Sequence, residues 1–171
     1  CEGNMSSPAE NVIFWGNVQP DIVLIRVKGR ASYLNSHVFS DFVVKMLREN
    51  HFSFCFFLEE CMGMDSTFLG IIAGLAIEVQ RHNGVCNLYS LRPKQLESVY
   101  KLGLYNLDQI VENVADEKRW QNTNEFAIQE QQTTGEDTRK IMLKAHTTLM
   151  QLSQQNTVRF QNVVQFLRVA H

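Results

Sequence analysis

The sequence predicts an α/β fold, a small mixed β-sheet packed with helices, and three observations carry that reading. Short apolar runs at 12–18, 22–28, 52–58 and 85–90 are separated by stretches with apolar residues at helical spacing. The run Phe52 to Leu58 is apolar at nearly every position, as a central strand covered on both faces requires. The resulting order, β-β-α-β-α-β-α, contains strand–helix–strand units, whose strands lie parallel.

Taken in order, Val12 to Val18 reads as a first strand and Gln19-Pro20-Asp21 as a turn. Ile22 to Lys28 reads as a second strand closed by Gly29, and the short spacing makes a hairpin of the two. After a polar loop at 32–36, Phe39, Phe42, Val43, Met46 and Leu47 mark a helix with one buried face. The central strand then leads through Glu59-Glu60-Cys61-Met62-Gly63, read as an acidic loop, to a second helix running to about His82. Gly70, Ala73, Gly74 and Ala76 keep that helix thin enough for a neighbour's backbone to come close. Asn83-Gly84 supplies its left-handed end. Val85 to Ser90 is a short strand, and Pro93 opens a third helix that ends at Gly103. Leu107 to Val111 reads as an edge strand or a turn.

Composition shifts near residue 116. Residues 116–136 are rich in Gln, Asn and Thr and read as a linker. Two helical patterns follow, one marked by Ile141, Ala145, Leu149 and Leu152, the other by Phe160, Val163, Val164 and Leu167. This tail is too small for its own core. It has three outlets: an isolated helical hairpin, docking on the sheet domain, or a homo-oligomer through residues 137–168. The predicted organisation is a loose N-terminus or expression remnant at 1–10, a sheet domain at 11–115 and a helical extension at 116–171. Met5 reads as the natural start; a lipidated Cys1 would need a signal peptide, which the sequence does not offer.

The balance of charges narrows the function classes. With 16 basic and 18 acidic residues, the net charge of -2 argues against a nucleic-acid binder. No apolar run reaches the ~20 residues of a membrane-spanning helix. Cys1, Cys55, Cys61 and Cys86 form no CxxC pair and have no metal-ligand spacing to histidine, so neither a metal nor a cofactor is expected. Cys55 lies in an apolar run and reads as a small buried hydrophobe in a reducing, cytoplasmic setting. His37, His51, His82, His146 and His171 share no spacing and read as surface residues.

The stretch with functional content is Met64-Asp65-Ser66-Thr67-Phe68-Leu69-Gly70, which opens the second helix. Asp, Ser and Thr suit a helix entrance, where free amides and the dipole also favour an anion. There the Ser66 hydroxyl can be a cap, a nucleophile or a phosphate acceptor. An acyl-transfer elbow would need Gly-x-Ser-x-Gly and a base. Both glycines are missing and sequence places no histidine, so the chain is not read as an enzyme.

On these residues the chain resembles the STAS domain of bacterial anti-sigma factor antagonists, whose motif is Met/Ile-Asp-Ser-Ser-Gly-Leu-Gly at the opening of a helix. Gly29-Arg30 resembles the family's G-R-L-D corner, and Leu102-Gly103-Leu104 its x-x-G-L near the end of the third helix. Thr67 and Phe68 stand where the family has serine and glycine, and Phe57 where it often has aspartate. The resemblance spans about residues 10–113. It implies a partner-switching regulator of transcription with phosphorylation at Ser66 by a serine kinase that is itself the anti-sigma factor. A protein phosphatase would reverse the step. Asp65, Ser66, Thr67, Phe68, Glu59 and Glu60 are the implied partner-binding residues, Phe68 being otherwise core or rim. Asp65 would orient the hydroxyl, and ATP and magnesium would belong to the kinase. The alternative is a non-switching STAS scaffold or sensor that oligomerises through its C-terminal helices.

Overall fold

The computed structural model describes residues 12–107, 110–113, 124–129 and 135–169. His171, the whole of the predicted N-terminal segment and most of the predicted linker lie outside them. The strands are β1 (Phe14–Val18), β2 (Val23–Val27), β3 (Gly29–Ala31), β4 (Phe54–Phe57), β5 (Cys61–Met64), β6 (Cys86–Tyr89), β7 (Ile110–Asn113) and β8 (Phe126–Ala127). The helices are α1 (Ser36–Arg48), α2 (Ser66–Gln80), α3 (Pro93–Lys101), α4 (Gly135–Leu152) and α5 (Gln154–Val169).

Six strands form one mixed sheet in the order β7-β6-β4-β2-β1-β8. β1 pairs antiparallel with β2, as the short turn at 19–21 dictates, while β2, β4, β6 and β7 run parallel. β4 is buried at every position, as its unbroken apolar sequence requires. Period-2 alternation sorts the side chains between the two faces. Val23, Ile25, Phe54, Phe56 and Leu88 join the main core with α1 and α2. Leu24, Cys55, Phe57 and Tyr89 form a smaller cluster with Ile22 and Trp15.

Two elements were not legible as strands. The stretch read as an acidic loop turns at Glu59 and Glu60 and then extends as β5, which pairs with β3 in a separate two-stranded sheet. Residues 126–127, within the predicted linker, add edge strand β8 to β1. Leu107 to Val111 resolves towards the strand reading, since Ile110–Asn113 forms edge strand β7. Asn83 takes φ 57° and Gly103 φ 77°, the left-handed ends expected there.

Of the tail's three outlets, docking within the chain is the one seen. α4 lies across α2 and also touches α1, with α5 folded back on α4. This explains the composition of α2, which is apolar on more than one side. Phe68, Ile72 and Val79 serve the core, while Gly70 and Gly74 face Ala145 and Thr148 of α4. Leu149 and Phe160 of the tail are part of the main core. Ala145, Val164 and Leu167, the residues available for pairing with a second copy, are also buried within this chain. Cys55, Cys61 and Cys86 are buried thiols, and burial pushes those of Cys61 and Cys86 up, so they stay protonated near neutral pH.

Candidate functional site: the entrance to helix α2

The site is built where β5 gives way to α2. Asp65 is the N-cap, extended at φ -94° and ψ 177°, and its Oδ1 accepts the amide of Phe68 at 2.9 Å. Its Oδ2 accepts the amide of Tyr33 at 2.8 Å, tying the β3–α1 loop to the same corner. The Asp65 amide donates to the Ala31 carbonyl at 3.1 Å. The carboxylate therefore serves backbone amides on both sides; its role is to shape the corner rather than to hold the Ser66 hydroxyl. Replacing Asp65 with alanine is expected to lower stability by about 1 kcal/mol. Urea denaturation checks this, and asparagine, which keeps one acceptor oxygen, should lose less.

Ser66 is half-buried, and its Oγ lies 2.8 Å from Nε2 of His146 on α4. His146 Nδ1 lies 2.7 Å from the Met142 carbonyl, an acceptor only, so Nδ1 carries the proton. The Nε2 lone pair then faces Ser66, and the serine hydroxyl donates. The imidazole is 4% exposed and stands edge-on to Phe160 at 5.0 Å. His146 and His37 are both buried, which corrects their reading as surface residues. No sequence spacing could have linked positions 66 and 146, because the contact exists only once α4 lies on α2.

A histidine with its lone pair on a serine hydroxyl at a helix N-terminus has the acid–base polarity of a nucleophilic pair. Its surroundings are those of a closed helix contact. The cavity of about 540 Å³ beside α2 is lined by Gly70, Ile71, Gly74, Lys144 and Thr148, and Ser66 is not part of its lining. Among the described residues no acidic, histidine and cysteine side chains gather into a metal-binding group. None of the described helices is long and apolar enough to cross a membrane.

The other implied partner residues separate. Thr67 is 2% exposed and Phe68 0%, so neither offers its side chain to a partner in this conformation. Phe68 is core: its ring packs on Phe39 at 4.9 Å and on Phe14 at 6.0 Å. Glu59 and Glu60 are exposed but stand at the far end of β5, roughly 13 Å along the strand at about 3.3 Å per residue. There Arg92 donates to the Glu59 carbonyl at 2.9 Å, and Arg26 lies 3.9 Å from the Glu60 carboxylate. Sequence proximity placed them beside Ser66; the intervening strand sets them apart from its hydroxyl. Exposed apolar side chains are also present here: Tyr33, whose amide Asp65 holds, with Leu34 next to it, and Met62 on β5.

No protein-family model matches the chain, and no curated protein does. Solved structures do match. The chain superposes on the protein TM1081 from Thermotoga maritima with a TM-score of 0.54 at 19% identity, covering 61% of this chain and 89% of that one. The Bacillus cell fate determinant SpoIIAA in its phosphorylated form gives 0.52 at 18% identity, covering 62% and 95%. An anti-sigma factor antagonist from Mycobacterium paratuberculosis gives 0.52 at 12%, covering 62% and 89%. At these identities the likeness establishes the fold, a STAS-like α/β sheet to which this chain adds C-terminal helices.

Proposed function

We propose that this protein is a partner-switching regulator of the anti-sigma factor antagonist type, cytoplasmic and bacterial, in which Ser66 is the phosphoacceptor. The supporting observation is the position of Ser66 as the first residue of α2, directly after a capping aspartate whose oxygens are taken by the amides of Phe68 and Tyr33. SpoIIAA, an anti-sigma factor antagonist of the same fold, has been solved in unphosphorylated and phosphorylated forms. In the proposed step, Ser66 Oγ bonds to the γ-phosphorus of ATP held by the partner kinase. The bond to ADP breaks, and the hydroxyl proton passes to the kinase's base. The product carries about -1.5 to -2 charges at a helix N-terminus, where its own domain tolerates them and a partner fitted to a neutral hydroxyl does not. A phosphatase reverses the step. The chain itself performs no catalysis in this scheme.

Incubation with the cognate serine kinase and ATP should add one phosphate, absent from Ser66→Ala, and Ser66→Asp should no longer bind that kinase. Phosphate on a different residue would overturn the assignment of Ser66. The second reading, a STAS scaffold that never switches, is favoured by the His146–Ser66 bond, since α4 holds the hydroxyl that a kinase would need. It requires self-assembly, and Val158, Phe166 and Val169 are exposed on α5. Light scattering of the full chain across a dilution series separates the readings: a dimer or larger species supports the scaffold, and a monomer at every concentration removes it.

A further inference from the structure

The C-terminal hairpin occupies the ground that any partner of Ser66 would need. The hydroxyl is met at 2.8 Å by the His146 imidazole, which is fixed by its own bond to the Met142 carbonyl and by Phe160 behind it. One residue earlier on α4, the main chain of Ala145 presses on α2. A Cβ built on Gly70 would lie 2.5 Å from the Ala145 carbonyl oxygen and 2.7 Å from its carbon. One turn along α2 from Ser66, then, the two helices already touch through backbone.

We propose that the α4–α5 hairpin is an autoinhibitory latch on the Ser66 corner. Docked, it withholds the hydroxyl from a kinase or other partner protein; a phosphoryl group on Ser66 displaces it. The proposal rests on Ser66 being the phosphoacceptor and adds how access to it is controlled. A phosphoryl group puts phosphorus and three further oxygens where the imidazole now stands. The imidazole is pinned by its bond to the Met142 carbonyl and backed by Phe160, so it has no room to turn aside while the hairpin stays docked. Helix α4 must then move, and it does not move alone. Asn156 Nδ2 donates to the Leu149 carbonyl at 2.7 Å, Thr157 Oγ1 to the Met150 carbonyl at 3.1 Å, and Arg139 to the Leu167 carbonyl at 2.6 Å. These join α4 and α5 into one body. Asn156 Nδ2 also reaches the Leu102 carbonyl at 2.8 Å, a polar tie between the hairpin and the domain.

The test uses the full chain with phosphoserine incorporated at position 66 during synthesis, so that no kinase is needed. Amide hydrogen exchange is then followed in α4, α5, β2 and β4. Exchange in α4 and α5 should be at least tenfold faster than in the unmodified chain, with β2 and β4 unchanged. His146→Ala in the phosphoserine chain should restore part of the α4 protection, because it opens space for the phosphate; an unmodified His146→Ala chain gives the reference. Unchanged or slower exchange in α4 would overturn the latch, since the phosphate would then sit under a docked hairpin. Loss of protection in β2 and β4 as well would overturn it in favour of general unfolding, and no recovery with His146→Ala would remove the imidazole as the obstructing group. If Ser66 is never phosphorylated in cells, the functional reading fails, but this exchange result stands or falls by itself.

Discussion

Phe68→Ala lowers the stability of the full chain by about 3–5 kcal/mol, the range for removing a fully buried phenylalanine. The ring is 0% exposed and lies between Phe14 and Phe39 at the point where α2 meets the sheet. Alanine leaves a void that these two rings cannot close without moving β1 or α1. For a domain with the usual 5–15 kcal/mol of stability, that is about a fifth of the total at the least. Urea denaturation measures it, as a lower midpoint at unchanged slope. A role as partner anchor predicts the opposite pattern, with stability kept and affinity lost.

Gly70→Val should cost about 3 kcal/mol, and the loss should fall on the hairpin. The new Cβ alone would overlap the Ala145 backbone, and two methyl groups add to it. Helix α2 is anchored to the sheet by Phe68, Ile72 and Val79, all 0% exposed, so α4 is the partner that yields. The Ser66–His146 bond, four residues along α2, opens with it. Alanine at the same position should do less harm, because its better helix propensity returns about 1 kcal/mol. Limited proteolysis checks the location of the damage. Cleavage should rise within α4 and α5 while a fragment containing β1 to α3 persists. Uniform degradation would place the damage in the sheet domain instead.

The parts of the fold that periodicity encodes were legible: the β1–β2 hairpin, the buried run of β4, the single buried face of α1 and the proline that opens α3. Short pairings without a period of their own were not. β5 has four residues, including Gly63, and becomes a strand only because β3 lies beside it. β8 has two residues and depends on the exposed edge of β1. At the site, Asp65 and Ser66 stood out because a helix entrance has a chemical signature in sequence. His146 did not, since 80 residues separate it from Ser66. One clue to it was present all the same. α2 carries Gly70 and Gly74 outside the stripe that faces the sheet, and small residues on a second side leave room for a second cover. Glu59 and Glu60 were misplaced for the converse reason, because closeness in sequence is not closeness in space across an extended strand.

The identity of the modified atom is the point on which the function turns, and mapping phosphate on the chain isolated from its own cells tests it directly. Mass spectrometry of the peptide carrying Met64 to Gly70 should find phosphate on Ser66 in part of the population, and none anywhere on a Ser66→Ala chain from the same cells. A Ser66 that stays unmodified across growth phases and stresses, or a phosphate that persists in Ser66→Ala, would contradict the account.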